Sequence, residues 1–173
     1  MNTVSKKYEF TSETQKLGEC TFHRIRALKD FGDIKAGDLG GFIEKEDNLS
    51  HYGDCWVEDN AMVYNDAYVC DNAIVSGKAQ IFDNAKLRGG VRVYDDASVY
   101  GNSIVQGGVE VYERARVYDN AVVMDRVKVH GDAHVYENAK VGGSAEYIGN
   151  DRIGNNYVQP RMDGRIVFIT VKQ

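Results

Sequence analysis

From Trp56 onward the chain divides into six-residue units without an insertion, and this period constrains the fold more than any other feature. Fifteen units follow one another over residues 56–145, beginning WVEDNA, MVYNDA, YVCDNA, and EYIGND is a degenerate sixteenth. The second residue is Val, Ile or Leu in all fifteen, and the sixth is Ala, Val or Ser. In a strand, alternate side chains share a face, so the aliphatic residue points inward and its neighbours outward. The Asp-Asn, Gly-Asn or Gly-Gly pair after it turns the chain. The small sixth residue fits inside the corner. A period of six, with Gly or a β-branched residue in nearly every unit, excludes helix. A strand of about three residues has no core of its own, so the units must stack into a solenoid.

The pattern resembles the hexapeptide repeat of left-handed parallel β-helices over residues 56–151. The resemblance implies an all-β, single-domain, left-handed parallel β-helix with three hexads, or 18 residues, per coil. It also implies side-by-side self-association, with a homotrimer favoured. The chain departs from the family at the residue after the aliphatic one, often Tyr here and often Gly there. Acyltransferases, carbonic anhydrases and pure scaffolds share the fold, so it does not define the function. The segment RIRALKDFGDIKAGDLGGFIEKEDNLS, followed by VYDNA-type hexads, resembles small phage and prophage members of this group across nearly all of residues 7–145. That implies an accessory protein of viral or prophage origin, acting as a structural part or a counter-defence factor.

Residues one coil apart should stack about 4.8 Å apart. On one face Arg92, Glu110, Lys128 and Glu146 alternate in sign, which turns a repulsive column into exposed pairs. On the second face Tyr64, Phe82, Tyr100, Tyr118 and Tyr136 form a wholly aromatic column. It reads either as a structural ladder or as a contact surface. The third face carries Cys70, Arg88, Gln106, Met124 and Gly142, so Ile104, Val122 and Met124 make an apolar patch that could serve an interface.

Three segments are expected: 1–55 as an N-terminal cap and irregular first coil, 56–151 as the solenoid, and 152–173 as a closing loop and strand. YEF and ECTFHRIRAL read as two strands of a hairpin, which would cover the solenoid's open end. GDL, DNL and GDC (37–39, 47–49, 53–55) keep the ending of a hexad, suggesting a first coil with a spliced-in loop. Pro160 and Gly164 mark loop, and RIVFITV (165–171) reads as a closing strand.

The net charge of -5 argues against a nucleic acid polymer as partner. A small anionic ligand needs only local cations, and Arg92, Arg114 and Arg116 are the candidate anion contacts. No apolar run approaches the ~20 residues of a membrane span. The N-terminal MNTVSKKYEF has no apolar core of a secretory signal. Cys20, Cys55 and Cys70 show no CxxC spacing, which argues against disulfides or structural zinc and for a reducing cytoplasm; the phage resemblance implies that of a bacterial host. An acyltransferase of this fold uses a His on an extruded loop, but residues 56–145 leave no such loop. None of His23, His51, His130 and His134 has an evident partner to orient it as a base. The histidine spacing does not suit the zinc site of carbonic anhydrases, the period is not that of a calcium-binding β-roll, and residues 44–151 hold no Thr for ice binding. The expectation is therefore a non-enzymatic, cofactor-free, oligomeric binding or scaffold protein. Its working surface would be the tyrosine column, or the subunit interface that column makes, and it would capture a host protein or a small nucleotide signal. The alternative is a hexapeptide-repeat acyltransferase.

Overall fold

The computed structural model describes the backbone of residues 5–160 and 166–170 and the side chains of residues 5–155. Each hexad forms one short rung and one turn, and three rungs close a coil. Trp56–Val57, Met62–Val63 and Tyr68–Val69 start three sheets, and each rung pairs in parallel with the rung three hexads further on. The registers Arg92↔Glu110, Ser98↔Arg116 and Ile104↔Val122 show the same offset on all three. The result is an all-β parallel solenoid of about six coils. We call its sides the charged face (rungs from Trp56), the tyrosine face (rungs from Met62) and the third face (rungs from Tyr68).

The inward positions carry the core. Val57, Val75, Val93, Val111 and Val129 are fully buried on one side, as are Ala61, Ala79, Ala97 and Ala115 in a corner. Removing such apolar area from water is the main stabilising contribution in a solenoid whose coils touch only their neighbours. At residue 103 the small position holds Ser, whose buried Oγ has no hydrogen-bond partner.

The turns explain the Asp, Asn and Gly. The fourth residue of a unit sits in the left-handed region, as at Asp83 (φ 57°), Asp119 (φ 58°) and Gly101 (φ 71°). At Gly101 an added Cβ would lie 2.7 Å from the Asp119 amide nitrogen, so space as well as φ demands Gly. The acidic side chains also bridge coils. Asp83 accepts the Gly101 N–H at 3.1 Å, and Asp119 accepts the Glu137 N–H at 3.0 Å. Beside them Asn84, Asn102, Asn120, Asn138 and Asn155 form an amide ladder, with links of 3.0–3.3 Å.

The N-terminal end is built differently. Strands β1 (Tyr8–Leu17) and β2 (Cys20–Ala27) form the expected antiparallel hairpin. β2 pairs antiparallel with β3 (Leu39–Ile43), which in turn pairs in parallel with Met62–Val63. Phe42 is in register with Met62 and Leu49 with Val69, each a longer step than the one from Trp56 to its neighbour Ile74. The first coil thus contains two extra residues between Leu49 and Val57. Leu49 and Cys55 point inward as their hexad endings suggest, but Leu39 does not: it is 57% exposed and pairs with Arg26 at the edge of the cap.

Beneath this cap the buried Lys7 ammonium donates to the carbonyls of Gly53 (3.2 Å) and Cys55 (2.7 Å). Tyr8 donates to Leu49 O at 2.8 Å and stacks on His51 at 4.4 Å. At the other end the coil continues past the decayed repeat. Tyr147 takes the inward place of Val129, and Ile153 that of Val135. Asn156–Pro160 adds a parallel rung to the third face and pairs antiparallel with Ile166–Thr170, the expected closing strand. Pro160 ends a strand, and Gly164 lies outside the described residues.

Candidate functional site: the lateral faces

The five-membered column on the tyrosine face is a continuous stack. Tyr64–Phe82, Phe82–Tyr100, Tyr100–Tyr118 and Tyr118–Tyr136 have centroids 5.0, 4.7, 5.0 and 5.4 Å apart, with planes within 13°. The coil sets this spacing, because parallel rungs place identical positions one strand apart. All five side chains are half-buried, each covering the next. Burial pushes the Tyr64, Tyr100 and Tyr118 hydroxyls above the usual phenol pKa, so they remain neutral donors. Tyr64 donates to Gln80 at 3.3 Å, and the Tyr118 hydroxyl lies 3.3 Å from His134 Nδ1.

A second column, which the sequence reading missed, stands on the charged face. Tyr94 stacks on Tyr112 at 4.9 Å, and Tyr112 on His130 at 4.6 Å, with planes within 4°. The same one-coil spacing announces it, but Glu58 and Ser76 precede it and Ile148 follows, so the column lacks the purity of its neighbour. Beside Ser76 lies a groove of about 390 Å³, lined by Tyr94, Glu58, Glu110 and Arg92 among others. It shares Gly77 and Asp95 with a corner groove of about 570 Å³ that runs past Lys78, Asp96 and Arg114 to Gly131.

His130 is nearly buried, and it has the partners the sequence did not reveal. Its Nε2 is 3.0 Å from Glu146 and its Nδ1 3.8 Å from Glu113. Its Nε2 is thus committed to Glu146 and one ring face to Tyr112, while Nδ1 and Glu113 are beyond hydrogen-bond reach of each other. His134 lies across the edge of Tyr118. Its pKa is held below the ordinary value by burial first, then by Arg152 and Arg116. His51 lies half-buried against the cap, where its Nδ1 accepts the Lys7 N–H at 3.2 Å, and His23 stacks on Phe10. Among the described residues no three His, Cys, Asp or Glu gather as a metal site would require.

The three candidate anion contacts do not converge. Arg92 lies on the charged face, Arg116 begins a rung of the tyrosine face, and Arg114 sits at the corner between, paired with Asp132 at 2.8 Å. Sign alternation on the charged face yields one close pair, Lys128–Glu110 at 3.4 Å. On the third face Ile104 and Val122 are register neighbours, and Met124 folds over Gly142, where an added Cβ would meet its Cγ at 3.2 Å. This half-buried patch is flat, with Lys86 and Lys140 at its ends.

Fold and faces together define a parallel β-solenoid with three rungs per coil, an antiparallel N-terminal cap and aromatic columns on two faces. No helix is long and apolar enough to cross a membrane among the described residues. No protein-family model matches the chain, and no curated protein matches it.

Proposed function

We propose that the chain is a non-enzymatic binding or scaffold protein that works through its flat lateral faces and associates with copies of itself. The observation that carries this reading is the unbroken coil. From Trp56 to Asn155 every connection is a tight turn, so no loop rises to enclose a substrate or to present a catalytic side chain. Pre-stacked rings and ranked side chains suit recognition at low entropic cost. The assembly we favour is a left-handed, hexapeptide-repeat homotrimer, with the Ile104–Val122–Met124 patch as the self-association surface. The setting we favour is the one implied by the resemblance of the segment after Arg24: a phage-type protein of the bacterial cytoplasm that captures a host factor against host defence. The scatter of Arg92, Arg114 and Arg116 favours a protein partner over a small nucleotide signal.

The alternative, an acyltransferase, gains one observation, the carboxylates around His130. The packing of His130 on Tyr112, with its Nε2 on Glu146 and no loop over it to enclose an acyl donor, counts against it. Native mass spectrometry of gently purified protein tests the main reading. A trimer appears at three times the protomer mass of 19.3 kDa. A stable oligomer with no turnover of acyl-coenzyme A supports it. A monomer that turns over an acyl donor, and loses that on His130→Ala, replaces it with the enzyme.

A further inference from the structure

The aromatic column of the charged face stops one layer short of where it could. Tyr112 covers one face of the Tyr94 ring. The other face looks toward the preceding rung, where the equivalent residue is Ser76, and beyond it Glu58. Ser76 is too small to cover a ring. Rungs two apart are separated by about 9.6 Å, which leaves room between Tyr94 and Glu58 for one flat group at stacking distance. This is the groove of about 390 Å³. Among the described residues the cation–π pairs are Lys7–Phe31 and Arg24–Phe42, so no cation of the protein covers the open face of Tyr94.

The lining selects the group by charge. Glu58, Asp59, Asp95 and Glu110 line the groove with a single cation, Arg92; Glu110 is paired with Lys128 at 3.4 Å, which leaves Glu58, Asp59 and Asp95 to act on a ligand. Asp59 and Asp95 each commit one oxygen to an amide of the next coil, Gly77 at 3.0 Å and Glu113 at 3.1 Å, which holds both carboxylates at the rim. A phosphate would be repelled there. A neutral heterocycle would stack but gain nothing from the carboxylates. An ammonium is attracted but is not flat. A guanidinium is planar, delocalised, weakly hydrated and able to fork onto carboxylates while it stacks.

We propose that this groove is a recognition site for a guanidinium group on a flexible stem, stacked on Tyr94 above Ser76 and held by Glu58, with the Asp59 and Asp95 carboxylates at its rim. The proposal rests on the reading of the chain as a binder, and not on self-association. The same chemistry is presented by a free guanidino compound and by an arginine of a partner protein.

The test is a titration with butylguanidinium, followed through the Tyr94 ring resonances and by calorimetry, against butylammonium as a cation of equal charge that is not planar. Saturable binding near ~1 mM, about 5-fold weaker for butylammonium, is expected. Ser76→Phe extends the stack into the groove and should weaken binding at least ~10-fold while the β circular-dichroism signal is kept. Arg92→Gln removes the repelling cation and should tighten binding about 3-fold. A capped Gly-Arg-Gly peptide distinguishes the sources: tighter binding than butylguanidinium points to a protein arginine, equal binding to a free molecule. No saturation by ~20 mM, equal binding of butylammonium, or unchanged binding by Ser76→Phe overturns the proposal. Those failures leave the oligomer reading standing, because the native mass measures it separately.

Discussion

The two aromatic columns share one spacing and differ in how they end. On the tyrosine face the stack is closed. The edge of Phe22, from the cap, meets Tyr64 at 5.3 Å, and at the far end Tyr136 lies over Gly154, where an added Cβ would be 2.9 Å from the ring. On the charged face the stack begins at a bare Tyr94 and ends at His130 among carboxylates. A closed column satisfies its own ring faces, so the expectation for it is a contribution to stability. An open one leaves a ring face and a gap, so it can take a ligand. The period that builds the solenoid therefore does not decide which column is available. The residues at the column's ends do.

The largest expected effect breaks the closed column. Tyr100→Ala with Tyr118→Ala removes three of its four stacks and two half-buried rings. Urea unfolding should show a loss of about 4 kcal/mol, with oligomeric state and guanidinium binding unchanged. A loss under ~1 kcal/mol would mean that the rings are a contact surface rather than a ladder. A change of native mass would place the subunit interface on them.

A smaller effect probes the turn beneath that column. Gly101→Ala puts a Cβ at 2.7 Å from the Asp119 amide and a side chain at φ 71°. A destabilisation of about 2 kcal/mol in thermal or urea unfolding is expected, larger than the ordinary helix-type Gly penalty because backbone cannot retreat from backbone. Smaller again, and opposite in sign, is Ser76→Phe. It lengthens the open column by one ring and should stabilise the protein by about 1 kcal/mol in the same assay. Destabilisation would show that the groove beside Ser76 is too narrow for a ring.

These contrasts mark what was legible in the sequence. The rungs, the three-hexad coil and the tyrosine column were legible because each inward or outward position recurs at a fixed offset, and recurrence is visible without coordinates. The second column was not, because Glu58 and Ser76 interrupt the pattern before Tyr94. The cap was half legible. Its strands alternate visibly, but nothing in a sequence announces that Lys7 is buried on two carbonyls, since lysines are ordinarily solvated. The continuation of the coil past Asp151 was hidden because RIGNNY (152–157) ends in Tyr where Ala, Val or Ser is the rule, although Ile153 takes the inward place of Val135. Leu39 misled because a hexad-like ending was read without its partner strand, which is antiparallel there. The partners of His130, Glu113 and Glu146, each stand almost a full coil away along the chain, a relation that only the coil makes close.

The smallest effect separates the two columns by pH. His134 lies against Tyr118 on the tyrosine face, with Arg116 and Arg152 raising the cost of a further positive charge and Asp132 partly offsetting it. Burial acts in the same direction as the arginines, so its folded pKa lies below the ordinary 6.5. Between those two values the unfolded chain binds the proton and the folded one does not. The contribution of His134 to stability is thus fully present above the unfolded pKa, and is lost as pH falls below it toward the folded one. Urea midpoints of the parent at pH ~7.5 and ~5.5 should differ more than those of His134→Gln, which keeps a polar partner for Tyr118 without titrating. Equal differences in the two proteins would show that His134 is as free to protonate in the folded state as in the unfolded chain, and that its packing against Tyr118 does not govern the closed column.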